Sequence, residues 1–229
     1  MDNQADKSDQ TTRTKGAKFS KNTLFLTRFS ILLAIEAIFC FTPLGSIPIG
    51  PIVATLAIVP VVLTGVLMGP RAGMLMGFFA GLFSFIVWTF MPPSPIAFIF
   101  TPFYSVGGVS GNLWSLAICF VPRVLVGFVA GGLFYILSRA FPAGAGNAAA
   151  YLISGLLGSL TNTFLVLGGI YVFFGRQYTE VLKVAYSALL GLIGLTLATN
   201  GVMEASIAAL AAFFIGRAIG SAARFFKKR

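Results

Sequence analysis

Long apolar runs separated by short polar breaks fill almost the whole chain between residues 24 and 219. A run of about 20 mostly apolar residues is long enough to cross a bilayer as a helix. The pattern therefore predicts six transmembrane helices, over residues 24–41, 52–68, 72–90, 113–137, 148–174 and 184–219. The last run is longer than one straight span needs, so we expect it to tilt, to break near Asn200-Gly201 or to extend beyond the membrane.

These runs predict an all-α integral membrane bundle that forms one domain over residues 21–222. Residues 1–20 are polar with mixed charge, which predicts a disordered tail, and residues 223–229 predict a short basic tail. The apolar stretch begins too late for a signal peptide, and no cleavage site of small residues follows it.

The basic residues set an expected orientation. Nearly all of the 16 Lys and Arg residues fall on the side of the bundle that carries both termini, whereas Arg176 and Lys183 fall on the other side. Cytoplasmic loops carry the excess of Lys and Arg, so we expect both termini in the cytoplasm.

Composition excludes several classes of protein. The chain is 57% hydrophobic and 10% charged, against about 25% charged residues in soluble domains. Its net charge of +10 lies in the tails and short loops, as an inner membrane surface requires, so we expect a lipid bilayer rather than nucleic acid as the partner.

The residue types also argue against an enzyme. The chain has no histidine, which removes the commonest general base and metal ligand. It has no G-x-x-x-x-G-K-[ST] loop for ATP. Cys40 and Cys119 match no zinc or redox spacing and are interpreted as small apolar side chains. We expect no catalytic residue, cofactor or metal site.

Three charges, Glu36, Arg123 and Glu204, are stranded inside apolar runs. A charge at membrane depth costs at least ~2.5–3.5 kcal/mol on insertion scales, so it normally faces a protein interior and has a partner. Arg123 follows Pro122, which frees the backbone carbonyl of Ile118 one turn earlier. Its guanidinium is expected either to hold a substrate carboxylate or to pair internally with one of the two glutamates.

The segment 91–112 carries no charge and is rich in Pro, Gly and aromatic residues. A merely solvated loop would be more polar. It is interpreted either as a lid over a pocket on the outer face or as a plug with a packing role only.

Amide and hydroxyl side chains recur in the spans, where they either join helices or bind a small polar solute with aromatic walls. The candidate substrate-binding residues are Arg123, Asn112, Trp114, Asn162, Thr163, Asn200, Tyr104 and Trp88. Small residues recur at helical spacing in the first span (Ser30, Ala34, Ala37) and in the fourth (Gly127, Gly131, Gly132). Such faces let another helix approach closely, within the bundle or from a partner.

Several stretches resemble one family. They are residues 54–65, 67–73, 111–115, 120–123 and 158–163, together with Asn200-Gly201 and Glu204-Ala205. In this order they resemble the substrate-binding S components of energy-coupling factor (ECF) vitamin transporters, over about residues 24–217. Within the family the pattern is most similar to the pantothenate branch.

The resemblance implies a vitamin-binding subunit that works with a transmembrane coupling protein and two cytoplasmic ATPases. It implies that the small-residue face of the first helix, at Ser30, Ala34 and Ala37, contacts the coupling protein. The loops 42–50 and 91–112 would then gate the pocket. For pantothenate, Arg123 would bind the carboxylate. The hydroxyls and the amide would be bound by Asn112, Asn162, Thr163 and Asn200. The walls of the site would be formed by Trp88, Tyr104 and Trp114.

Short motifs leave alternatives open. Niacin, folate or riboflavin are other candidate vitamins. A different class is an ion-coupled secondary transporter that relays protons through Glu36 and Glu204, and a third is a membrane scaffold that binds no ligand.

Overall fold

The computed structural model describes residues 21–43, 46–49, 52–141 and 145–227. The predicted disordered tail and part of the predicted 42–50 gate lie outside these residues. The helices of the described part are α1 (Lys21–Phe41), α2 (Ile58–Met68), α3 (Pro70–Phe90), α4 (Leu113–Ala140), α5 (Ala145–Gly169), α6 (Gly175–Val181), α7 (Leu189–Thr196) and α8 (Val202–Lys227).

Within the part of the chain that the structure describes, five helical stretches are long and apolar enough to cross a membrane. They are Asn22–Phe41, Pro70–Phe90, Leu113–Ala140, Asn147–Val181 and Tyr186–Ile219. The all-α membrane bundle predicted from the sequence is confirmed to this extent. The helix of the last stretch continues to Lys227, through part of the predicted basic tail.

The predicted second span, residues 52–68, is wrong in its first part. Strand β2 (Ile52–Thr55) pairs antiparallel with β1 (Ser46–Ile49), and only Ile58–Met68 is helical. The β-branched residues Ile52, Val53 and Thr55 favour an extended backbone. The remaining helix has 11 residues, about 16 Å at 1.5 Å per residue, and is too short to cross a bilayer.

Helix α2 is instead the buried centre of the bundle. It packs against α3, α4, α8, α5 and α1, and most of its residues are buried. Pro60 lies in its first turn, where a missing N–H removes no hydrogen bond from the helix. Helix α1, by contrast, is the least buried of the five long stretches.

The apolar segment between α3 and α4 is structured. It contains a 3₁₀ turn (Pro95–Ile99) and a small hairpin of β3 (Ser105–Val106) with β4 (Val109–Ser110). The 3₁₀ turn is fully buried from Ile96 to Ile99. The hydroxyl of Thr89 donates to that of Thr101 at 2.8 Å, and Ser115 Oγ donates to the Phe98 carbonyl at 2.7 Å. The segment is therefore fastened to both flanking helices.

Two π-helical segments interrupt the last two long stretches, at Ile170–Phe174 and at Leu197–Gly201. Such segments are frequent at functional sites because they change which side chains share a helix face. The second coincides with Asn200-Gly201, where the sequence predicted an irregularity, and the helix continues through it rather than ending.

Helices α3 and α4 cross at backbone contact distance. A methyl group on Gly77 would meet the backbone carbonyl of Arg123, and one on Gly73 would meet that of Gly127. Glycine allows this approach because it has no side chain to separate the helices. The crossing fixes the part of α4 that carries Pro122 and Arg123.

Candidate functional site

A cavity lies where α1, α3, α4, α5 and the α7–α8 stretch converge with the 91–112 segment. It encloses about 870 Å³ when the open space at its mouth is included. Its polar lining includes Arg123, Asn162, Thr163, Thr196, Asn200 and Glu204. Apolar and aromatic side chains complete the wall, so a few polar groups face a small solute across a largely apolar surface.

Arg123 is the cationic group of this cavity. Its side chain is 8% exposed, and Nη1 donates to the carbonyls of Ile118 at 3.1 Å and Cys119 at 2.8 Å. Pro122 cannot donate to the Ile118 carbonyl, so the guanidinium supplies the hydrogen bond that the helix lacks there. These bonds fix the side chain while using only one of its three nitrogens.

Phe100 and Trp88 form an aromatic wall beside Arg123. Their rings stack at a centroid distance of 4.6 Å, and the Arg123 Cζ lies 5.4 Å from the Phe100 centroid. Phe100 and Pro93 belong to the uncharged 91–112 segment, and both line the cavity. The segment thus covers part of the cavity as well as packing into the core.

Two neighbouring residues of α5 present unused polar atoms. Asn162 and Thr163 are 8% and 7% exposed, and Asn162 Oδ1 and Thr163 Oγ1 have no hydrogen-bond partner. A buried polar atom without a partner carries a desolvation penalty of about 1–3 kcal/mol. Both residues line the cavity, so a polar solute there could satisfy them.

The π segment brings three more residues of the last stretch to the same wall. Asn200, Gly201 and Glu204 line the cavity, and a methyl group on Gly201 would press on the Thr163 side chain. Thr199 Oγ1 donates to Asn200 Oδ1 at 3.2 Å. Glu204 is buried and interacts with other groups of the protein.

The structure brings five of the predicted binding residues to the cavity: Arg123, Asn162, Thr163, Asn200 and Trp88. It places the other three elsewhere. Asn112 is the N-cap of α4, where its side chain accepts from the Trp114 backbone N–H at 2.8 Å. Trp114 is 53% exposed and stacks on Phe173, and Tyr104 packs against the core formed by the 3₁₀ turn and α5.

The sequence left several lining residues unrecognised, among them Cys40, Ser84 and Thr196. Thr196 lies four residues before Asn200 and eight before Glu204, a spacing that could have placed it on their helix face. Ser84 is four residues before Trp88 on α3 in the same way. Cys40 lies four residues after Glu36 on α1, so the same spacing could have placed it on the face that carries Glu36.

The small-residue faces separate into two kinds. Ser30 and Ala34 are exposed on α1, and Ala37 is half-buried. Gly127 and Gly131 of α4 instead contact backbone of α3 and α2 inside the bundle. Of the two, the α1 face is the one on which a partner helix has room to lie.

Comparison with known proteins bears on this geometry. A family model described as the ECF transporter substrate-specific component matches residues 24–216. The chain is also 38% identical over 161 residues to the pantothenic acid transporter PanT of Lactococcus lactis subsp. cremoris (strain MG1363), covering 70% of this chain and 74% of that protein. With its apolar helices, the protein is a multi-pass transporter component of the bacterial cell membrane rather than an enzyme. The resemblance seen in the sequence is confirmed: the chain belongs to the family of substrate-specific components of ECF transporters.

Proposed function

We propose that this protein is the S component that captures pantothenate for an ECF importer, with the cavity beside Arg123 as its binding site. The observation that carries the proposal is the pairing of a fixed guanidinium with unused polar atoms on Asn162 and Thr163 in one cavity. The name of the relative PanT supports the choice of vitamin.

The chemistry of pantothenate suits these groups. It has a carboxylate at one end, an amide in the middle and two hydroxyls at the other end. The Arg123 nitrogens that do not serve Ile118 and Cys119 would take the carboxylate, since a guanidinium binds a carboxylate through two parallel hydrogen bonds. Trp88 and Phe100 would pack against the aliphatic part.

Asn162, Thr163 and Asn200 would serve the remaining polar groups. Asn162 Oδ1 would accept from a hydroxyl or the amide N–H, and the Thr163 hydroxyl can both donate and accept. A site built to pair a polar ligand group discriminates against ligands that lack it, because its own buried groups are then left unpaired.

Uptake would be powered from outside this chain. We place both termini in the cytoplasm from the distribution of Lys and Arg. A transmembrane coupling protein would dock on the face of α1 formed by Ser30, Ala34 and Ala37, and two cytoplasmic ATPases would supply the energy. The β1–β2 hairpin, whose second strand lies against the Leu197–Gly201 segment, and the 91–112 segment would close over the bound vitamin.

Two threonines of α5 provide a matched test. Thr163 lines the cavity, whereas the Thr161 hydroxyl donates to the Leu157 carbonyl of its own helix at 2.8 Å. We expect Thr163→Val to weaken pantothenate binding about 5- to 10-fold, the loss of one hydrogen bond of about 1 kcal/mol. Thr161→Val should bind as the wild type does.

Isothermal titration calorimetry of the purified variants measures this difference. Equal affinities in Thr163→Val and the wild type would remove Thr163 from the proposed site. Weakening by both variants alike would indicate a general disturbance of α5 instead of a lost ligand contact.

A further inference from the structure

Glu204 is the acidic side chain of the cavity. Among the described residues that line this cavity, Arg123 and Glu204 are the two charged ones. Glu204 lies in the first turn of α8 and is 6% exposed, so its carboxyl group is inside the bundle. Because a ligand carboxylate at Arg123 occupies the cation of the cavity, Glu204 is left to contact a different part of the ligand.

The wall around Glu204 is rich in hydrogen-bond acceptors. Asn200 lines the cavity one turn before Glu204, and the π segment that carries Asn200 packs against α5. Gly201 allows this approach, since a methyl group there would press on the Thr163 side chain. On α5, Asn162 Oδ1 and Thr163 Oγ1 have no hydrogen-bond partner. A part of the ligand that carries hydrogen-bond donors therefore suits this wall.

The chemistry of a carboxyl group limits what it can recognise. An ionised carboxyl has about four acceptor positions on its two oxygens, so Glu204 can accept from a ligand as well as interact with other groups of the protein. A hydroxyl donates to such an oxygen, and this charge-assisted hydrogen bond is roughly twice as strong as a neutral one. A ligand carboxylate has no hydrogen to donate and is repelled by a like charge.

We propose that Glu204 is a specificity-determining residue that accepts a hydrogen bond from the terminal hydroxyl of pantothenate. This hydroxyl is the group farthest from the carboxylate, so Arg123 and Glu204 together fix the direction in which the ligand lies. Niacin has a carboxylate for Arg123 but no hydroxyl for Glu204, and a site that loses a paired group rejects such a ligand. The inference rests on the proposed function, because it assumes pantothenate in this cavity.

A cycle of two proteins and two ligands isolates this contact. Titration calorimetry should show that Glu204→Ala binds pantothenate at least about 10-fold more weakly than the wild type does, the usual effect of losing a hydrogen bond to a charged group. The terminal deoxy analogue has a hydrogen in place of that hydroxyl. It should bind Glu204→Ala and the wild type with affinities within about twofold of each other.

Two further variants keep the test decisive. Glu204→Gln keeps the shape of the side chain and one acceptor oxygen, so it should lose less affinity for pantothenate than Glu204→Ala and none for the deoxy analogue. This cycle gives the answer if Glu204→Ala does not fold. Glu180→Ala, at an exposed position of α6, should bind both ligands as the wild type does.

A neutral ligand separates Glu204 from Arg123. The alcohol analogue of pantothenate, with a hydroxymethyl group in place of the carboxylate, keeps the terminal hydroxyl. It should lose as much affinity in Glu204→Ala as pantothenate does. A loss confined to pantothenate would mean that Glu204 acts through Arg123 and would overturn the inference.

Each remaining outcome also overturns a stated claim. Equal weakening of pantothenate and the deoxy analogue in the Glu204 variants, or no weakening of either ligand, would overturn the inference while leaving the proposed function standing. A loss that disappears only with the analogue lacking the other hydroxyl would overturn the assignment to the terminal hydroxyl. No binding of pantothenate to the wild-type protein would overturn the proposed function, and this inference with it.

Discussion

Arg123→Ala is expected to weaken pantothenate binding by about 100-fold or more. Removing one partner of a buried charge pair typically costs about 2–5 kcal/mol, and each 1.4 kcal/mol is tenfold in affinity. The loss of affinity should be specific to the anionic ligand. The alcohol analogue of pantothenate, which has a neutral hydroxymethyl group in place of the carboxylate, should lose much less affinity. The affinity of Arg123→Lys for pantothenate should fall between those of the wild type and Arg123→Ala, because an ammonium keeps the charge but cannot form the planar pair with a carboxylate.

Arg139→Ala is the control for this series. Arg139 lies in the last turn of the same helix, stacks on Tyr135 and is exposed, so its loss should leave binding unchanged. Titration calorimetry with both ligands on each variant gives the comparison. Equal losses for pantothenate and its alcohol analogue in Arg123→Ala would mean that Arg123 supports the helix only, as an internal ion pair or as a cap for the Ile118 carbonyl.

The second large effect is expected on uptake and not on binding. Ser30→Phe and Ala34→Phe would fill the exposed small-residue face of α1 and hold a docking helix away. Close approach of membrane helices depends on small residues at the contact. We therefore expect vitamin uptake in cells that supply the coupling protein and ATPases to fall at least about tenfold, while the purified variants bind pantothenate normally.

Ser206→Phe is the matched substitution. Ser206 is exposed on α8, and its hydroxyl donates to the Val202 carbonyl of its own helix at 2.7 Å. This variant should transport as the wild type does. Normal uptake by both α1 variants would contradict docking on this face, and loss of binding in either would show that the substitution disturbs the bundle.

The hydropathy of the sequence predicted the membrane bundle, because the length of an apolar run can be read from the sequence without knowing how the helices pack. The runs around α1, α3 and α4 match helices closely, since each has about the length and composition that a bilayer requires. The run 52–68 was misassigned because hydropathy does not distinguish a buried short helix preceded by a strand from a span. The β-branched residues at 52, 53 and 55 were the signal that favoured the strand.

The sequence predicted several residues of the site that are polar side chains within apolar helices. Arg123, Asn162, Thr163 and Asn200 stood out as polar residues in apolar helices, and all four reach one cavity. Asn112 and Trp114 were also predicted to bind the substrate. Because they lie at the start of a helix, the sequence was equally compatible with Asn112 as a helix cap and Trp114 as an exposed ring. The convergence of α1, α5 and the π segment depends on tertiary packing, so Cys40 and Thr196 could not be placed from residue type alone.

Equilibrium binding of pantothenate to the purified wild-type protein, with niacin, folate and riboflavin as competitors, is the decisive measurement for the proposed substrate. We expect saturable binding of about one pantothenate per chain that excess niacin, folate or riboflavin does not displace. Absence of pantothenate binding, or its displacement by one of those vitamins, would contradict the assignment of this cavity to pantothenate.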